Sequence, residues 1–281
     1  MIDTSNHEDA EAKALMEKWE AENGTAVDSD DDDDDDGEVL DMEDLLEKFR
    51  RDVDITDDTL DHVVLGTCDL EKAMAELEAM TGVKPIGVTS MNGLGTKSAQ
   101  IAFENCAYLE IIGPDPKQAS TSLSEKLENL EEGKIVPVHF AVRSTRCKSR
   151  KESDWSKFDV DKITMVSRDR GMPWNWDLYI LEGHEEAGLV PKFVEWSDDK
   201  HPAAKLPIVG SLDWVGVRAP SDSAVHKLLD GISGVAVESG DALLEVTFTS
   251  SKGTHTFSST EPIGVSFPKE GGLQLKEPTY K

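Results

Sequence analysis

Two short apolar segments, each carrying one histidine, constrain the fold of this chain most. They are Thr59–Gly66 (TLDHVVLG) and Val136–Arg143 (VPVHFAVR), and a third segment of similar shape, Ser211–Arg218 (SLDWVGVR), lacks the histidine. Each run is short, apolar and rich in β-branched residues, which favours a β-strand. Three similar strand openings predict that one structural unit is repeated along the chain.

The order of elements after each opening strand is also predicted to repeat. In the first unit Asp69 is a candidate N-cap for a helix that ends at Gly82, and three strands follow. The second unit shows the same order with a less evident helix, and it closes on a strand at Val190–Trp196. The third unit has a helix but fewer strand signals, so we predict a partial copy.

The charge of the chain is concentrated in its first 58 residues. They carry 24 acidic and 5 basic side chains, which leaves −9 of the total net charge of −28 for the remainder. The aspartate run Asp30–Asp36 repels itself and cannot pack, so residues 1–58 are predicted to be an acidic, largely disordered arm. The alternative is a segment that folds on contact with a basic protein partner.

Composition excludes several classes of protein. A strongly acidic chain without clustered lysine and arginine does not predict nucleic-acid binding, and no run is long and apolar enough for a membrane helix. Three widely spaced cysteines fit a reducing compartment better than a disulfide framework, so we predict a cytoplasmic protein. They have no spacing typical of a metal site.

Each of the first two units also closes on a strand with one glutamate between apolar residues. These are Glu110 in Tyr108–Ile112 and Glu195 in Phe193–Trp196. A carboxylate enclosed among apolar residues must be paired, protonated or metal-bound. Two related units would bring the two histidines and two glutamates together, a donor set that suits Zn, Mn, Fe, Co or Ni. Such a four-ligand site would leave two positions on an octahedral ion for water or substrate oxygens.

The chain resembles the vicinal oxygen chelate superfamily, and within it the glyoxalase-like domain family. Over roughly residues 58–208, the matching segments are Leu60–Leu65, Gly93–Thr96, Ala107–Pro116, Phe193–Trp196 and His201–Ala203. The resemblance implies an α+β fold in which paired βαβββ modules form a cupped mixed sheet around a metal. We therefore expect modules at 59–116 and 134–200 within a domain over 59–208, a partial third module over 209–260, and a C-terminal tail over 261–281.

The resemblance also implies which residues form the site. The ligands would come from the first and last strand of each module, which gives His62, Glu110, His139 and Glu195. In glyoxalase I a metal-bound glutamate serves as the base, and Glu195 matches that role by position, with Glu110 as the second candidate. The expected function is a metal-dependent lyase or isomerase acting on a small substrate with adjacent oxygens. The alternatives are an iron-dependent extradiol-type dioxygenase and a metal-free small-molecule binding protein.

Four further residues are candidates for the substrate pocket, each with a structural alternative. Trp174 and Trp176 alternate on a predicted strand, so they share a face that either packs in the core or forms an aromatic wall. Arg143 and Arg168 either anchor an anionic substrate or lie on the surface. His201, next to Pro202, is predicted to be a turn or pocket-rim residue rather than a ligand.

Overall fold

The first βαβββ unit forms as the sequence predicts. The computed structural model describes residues 58–91, 93–152, 155–169, 172–182, 186, 188–197 and 201–265, so the predicted arm lies outside it except for Asp58. Asp69 caps the helix by accepting a hydrogen bond from the Lys72 backbone N–H, and Gly82 ends it at φ 83°. The elements are β1 (Thr59–Gly66), α1 (Leu70–Thr81), β2 (Ile86–Met91), β3 (Thr96–Ala102) and β4 (Tyr108–Pro114).

The second unit repeats this order and joins the first in one sheet. A short helix, α2 (Ser122–Glu128), lies between the units. The elements are β5 (Val136–Arg143), α3 (Cys147–Glu152), β6 (Asp159–Asp169), β7 (Met172–Glu182) and β8 (Lys192–Trp196). The strand order is β2-β3-β4-β1-β5-β8-β7-β6, with β1 parallel to β4, β5 parallel to β8, and β1 antiparallel to β5. The two histidine strands therefore lie side by side at the centre of an eight-stranded sheet.

The third unit has the predicted helix but one strand more than expected, and its pairing differs. Its elements are β9 (Gly210–Ala219), α4 (Val225–Leu229), β10 (Val235–Ser239), β11 (Leu243–Ser250) and β12 (Gly253–Ser259), in a separate sheet of order β10-β9-β11-β12. Its opening strand runs parallel to its second strand, whereas β1 and β5 run parallel to the last strand of their units. The element order is thus repeated three times, but the sheet topology only twice.

The two faces of the large sheet have different environments. Alternate residues of the central strands, such as Val63, Leu109 and Phe140, join the main core, which also contains residues of the third unit such as Val215 and Phe248. The opposite face carries His62, Glu110, His139 and Lys192, and we call it the site face. Among the described residues, no helix has the length and apolar character that a membrane crossing needs.

The three cysteines are free and differ in exposure, which gives a test of the fold. Cys147 is buried, Cys106 exposed and Cys68 partly exposed. Burial raises the pKa of the Cys147 thiol from 9.0 to about 12. We expect a thiol reagent at pH 8 to modify Cys68 and Cys106 in the native protein and Cys147 only after unfolding, with single Cys→Ala variants assigning each phase. Equal rates at all three thiols would contradict this packing.

The same thiol predicts a pH dependence of stability. Because the folded pKa is raised, the contribution of the neutral Cys147 thiol is complete below pH 9.0 and is lost as the pH rises towards about 12. The difference in free energy of unfolding between the wild type and Cys147→Ala should therefore shrink over that range. Urea denaturation at several alkaline pH values measures it, and a constant difference would be contrary to expectation.

Candidate active site

Four polar residues lie together on the site face: His62, Glu110, His139 and Lys192. One row across the strands β4, β1, β5 and β8 consists of Tyr108, His62, Ala141 and Lys192, in that order. Glu110 and His139 flank Val64 in the adjacent row, on β4 and β5. His62, Glu110, His139 and Lys192 are each at most 9% exposed. The structure therefore brings together three of the four predicted ligands, with a lysine beside them.

A β-bulge in β1 places a buried carboxylate directly behind His62. The β1–β5 register shifts between Leu60 and His62, so Asp61 has no partner on β5. Bulges of this kind re-aim side chains near functional sites. Asp61 Oδ1 lies 2.7 Å from His62 Nδ1, and Asp61 has no exposed surface. The carboxylate is thus positioned to orient the imidazole.

Two more side chains donate hydrogen bonds to Asp61. Trp196 Nε1 donates to Oδ2 over 2.9 Å, and His201 Nε2 lies 3.0 Å from the same oxygen. The Ala203 backbone N–H donates to His201 Nδ1, so His201 Nε2 carries the proton that Asp61 accepts. Burial alone would raise the pKa of Asp61, but the hydrogen bonds from His201 and His62 hold it well below its usual range. Asp61 is therefore ionised.

The protonation of the two site histidines follows from their partners. An ionised carboxylate only accepts hydrogen bonds, so His62 Nδ1 donates to Asp61 and Nε2 keeps its lone pair when the ring is neutral. His139 Nδ1 lies 3.3 Å from the carbonyl oxygen of Phe140, which assigns its proton in the same way. Burial, with the charges of Lys192 and His62, lowers the pKa of His139 well below its ordinary value. Both rings can therefore present an Nε2 lone pair.

The donors on the site face match the chemistry of a divalent transition metal. Two imidazoles and one carboxylate are ligands that such ions prefer, and an Asp61–His62 pair is the usual support behind a metal-bound histidine. The rings of His62 and His139 are nearly perpendicular, with centroids 6.4 Å apart. In the part of the chain that the structure describes, no three His, Cys, Asp or Glu side chains form a ready-made metal cluster.

Glu195, the fourth predicted ligand, contacts a different set of residues. Its Oε2 accepts a hydrogen bond of 3.0 Å from the hydroxyl of Tyr179, whose ring belongs to the main core. Because neighbours on a strand point to opposite faces, Glu195 shares its face with Phe193, whereas Lys192, Val194 and Trp196 share the other. The structure does not bring Glu195 together with His62, Glu110 and His139.

Two of the four candidate pocket residues, Trp176 and Arg143, have described side chains, and both lie near this site. The Trp176 ring lies against Trp196 with centroids 5.2 Å apart, and Arg143 Nε is 3.9 Å from Asp61 Oδ2. Trp174 is on β7, opposite Ser167, and Arg168 is on β6, opposite Pro173. The side chains of Trp174 and Arg168 lie outside the described part of the structure.

Sequence reasoning missed three residues of this site, Asp61, Tyr108 and Lys192, and predicted a fourth, His201, only as a turn or pocket-rim residue. Asp61 is the polar residue next to His62 in an otherwise apolar run, and His201 caps the short 3₁₀ helix Pro202–Lys205. Tyr108 stacks on His62 with ring centroids 4.5 Å apart. Burial, together with the nearby charges of Asp61 and Glu110, raises the pKa of Tyr108 well above 10.0, so its hydroxyl stays protonated. Lys192 was detectable only as a lysine in an apolar closing strand.

Two further elements enclose the site. The 3₁₀ helix contributes Ala203, which packs with Ala102 and Tyr108. The segment that follows β12 packs Ile263 and Val265 against the cluster that contains Val64 and Val138, and the Gly264 N–H donates to the Val138 carbonyl. Residues 261–265 of the predicted C-terminal tail are therefore part of the packed domain.

Comparison with known proteins finds one matching family model and several solved structures of low sequence identity. A family model described as "Glyoxalase-like domain" matches residues 60–232. The solved methylmalonyl-CoA epimerase from Mycobacterium tuberculosis is 15% identical, with a TM-score of 0.37, and the match covers 50% of this chain and 89% of that one. A hypothetical protein from Staphylococcus aureus is 13% identical, with a TM-score of 0.46, covering 66% and 87%.

A third solved structure is a mutant of 4-hydroxymandelate synthase from Streptomyces coelicolor. It is 13% identical, with a TM-score of 0.43, and the match covers 72% of this chain and 63% of that one. No curated protein matches the sequence.

The hydrogen bonds at Asp61 predict the effect of removing its charge. In Asp61→Asn an amide N–H₂ replaces one oxygen and opposes groups that already donate, so a buried donor is left unsatisfied. We expect the free energy of unfolding to fall by about 2–4 kcal/mol, measured by urea denaturation. The matched control is Asp159→Asn at an exposed position of β6, which should change it by less than about 0.5 kcal/mol. Equal effects would contradict the role of Asp61.

Proposed function

The chain belongs to the glyoxalase-like domain family, and we propose that its site face is the active site of a metal-dependent isomerase or lyase. The substrate is a small molecule with two adjacent oxygens. One observation carries the proposal: His62, Glu110 and His139 occupy neighbouring positions on three adjacent strands, on one buried face. Buried ionisable groups that converge in this way are typical of functional sites.

The three residues would hold the ion through His62 Nε2, His139 Nε2 and the Glu110 carboxylate. When bound, a Zn, Mn, Ni, Co or Fe ion would polarise the substrate oxygens and stabilise negative charge that develops on them. Three protein ligands leave room for both oxygens of a chelating substrate. We leave Glu195 out of this set because it lies on the opposite face of β8 and its carboxylate accepts a hydrogen bond from the Tyr179 hydroxyl.

Three residues of the protein would move the proton, orient a ligand and stabilise developing negative charge. Glu110 is the glutamate of the site face, so we assign it the role of moving the proton between substrate atoms. Asp61 is a positioning residue that holds the His62 ring through Nδ1. The protonated Tyr108 hydroxyl, in the electrostatic field of Asp61 and Glu110, is a hydrogen-bond donor for a developing oxyanion.

Four residues are candidates for the walls of the substrate pocket. Trp176 and Arg143, which lie close to Trp196 and Asp61, would line the pocket, and Trp174 and Arg168 stay candidates for it.

Three free cysteines support a cytoplasmic location. We also propose that the acidic arm at residues 1–58 binds a basic protein partner.

A second candidate function is an iron-dependent ring-opening dioxygenase. Two histidines and one carboxylate are the ligand set of non-haem Fe(II) oxygenases, and the placement of Glu195 away from the site leaves that set at three. Oxygen uptake by the Fe(II)-loaded protein with catechol would favour this function. Proton exchange into a 2-hydroxy carbonyl compound without oxygen uptake would favour the isomerase.

Metal content of the purified protein tests the proposal. We expect about one transition metal per chain by elemental mass spectrometry, and loss of at least about tenfold in affinity in His62→Ala, His139→Ala and Glu110→Ala. Glu195→Gln is the matched control and should retain the metal, because Glu195 binds Tyr179 instead. Protein that stays metal-free after incubation with Zn, Mn, Ni and Fe would refute metal dependence and favour a metal-free binding protein.

A further inference from the structure

Lys192 occupies on β8 the position that Glu110 occupies on β4. Glu110 pairs with Val64, two residues after His62, on a parallel strand. Lys192 pairs with Ala141, two residues after His139, also on a parallel strand. The two βαβββ units are therefore in equivalent register, and Lys192 is the counterpart of Glu110. A site built symmetrically from both units would have its fourth ligand at Lys192.

The side chain of Lys192 belongs to the same buried site. Lys192 is 7% exposed; burial lowers the pKa of its ammonium group well below 10.5, and the charge of Glu110 acts in the opposite direction. It also interacts electrostatically with His139. Alternation along β8 places it on the face of Trp196, which contacts Asp61. Lysine is seldom buried, because removing an ammonium group from water is costly. Its presence here points to a role on the site face.

Exchanging a carboxylate for an ammonium group changes the charge that the site offers to a substrate. A divalent ion held by two histidines and two carboxylates would be neutralised by its ligands. With Glu110 as the only carboxylate, the ion keeps one uncompensated positive charge, and Lys192 adds a second when an anion bound beside it holds its amino group protonated. Such a site favours an anion, and charge-assisted hydrogen bonds to an oxyanion are stronger than neutral ones.

We propose that Lys192 binds an anionic oxygen of the substrate, so that the site takes a small carboxylate with an oxygen on the neighbouring carbon, such as a 2-oxo or 2-hydroxy acid. This inference rests on the proposed function for the identification of the site face as the substrate site. It adds the substrate class and a binding residue. Lys192 provides the ammonium group, and the ligand positions left open by the three donors take the adjacent oxygens.

A pair of ligands that differ in charge tests the role of Lys192. Isothermal titration calorimetry on the full chain, as isolated and after Zn²⁺ loading, compares pyruvate with its neutral analogue pyruvamide. We expect the wild type to prefer pyruvate by at least about tenfold. Lys192→Met should reduce that preference by weakening pyruvate binding while leaving pyruvamide binding unchanged, and only the charge of the ion then favours pyruvate. Lys84→Met, which removes the same charge at an exposed position, should behave like the wild type.

Three results would overturn the inference: no pyruvate binding by the wild type, equal binding of both ligands, or a preference that survives undiminished in Lys192→Met. Should Lys192→Met fail to unfold cooperatively, Lys192→Gln gives the same comparison with a neutral polar side chain. Metal content, measured in parallel, separates this inference from the proposed function. Metal binding with a preference independent of Lys192 would refute only the inference. A Lys192-dependent preference in protein that binds no metal would refute only the metal-dependent function.

Discussion

The carboxylate of Asp61 has no exposed surface, so protein groups alone must satisfy its charge. The donors come from separate parts of the domain: His62 on β1, Trp196 at the end of β8, and His201 at the start of the 3₁₀ helix. A buried charge without these partners would be strongly destabilising. The interaction therefore joins the two βαβββ units across the sheet and fixes the ring of His62 at the same time.

The near-symmetry of the two units explains why the site lies where it does. Antiparallel pairing of β1 with β5 brings two histidine strands together, and parallel pairing with β4 and β8 adds the closing strand of each unit. The site face departs from this symmetry where Lys192 occupies on β8 the position that Glu110 occupies on β4.

The fold and part of the site could be predicted from the sequence because local patterns carry them. The Asp69 cap, the Gly82 stop and the histidine strands rest on signals within a few residues. Glu195 and Lys192 differ by only three positions, and the choice between them depends on the pairing of β5 with β8, which no local pattern encodes. The sequence pattern did not predict the strand β10, because this strand has only five residues and none of them is buried.

We propose that His62, His139 and Glu110 form the metal site of this protein. Anomalous diffraction from crystals grown with Zn²⁺, measured at the zinc absorption edge, would locate the ion. We expect one strong peak about 2.0–2.2 Å from His62 Nε2, His139 Nε2 and a Glu110 oxygen, with Lys192 Nζ outside the coordination sphere. A peak bound by Glu195, or no peak at these three side chains, would contradict it.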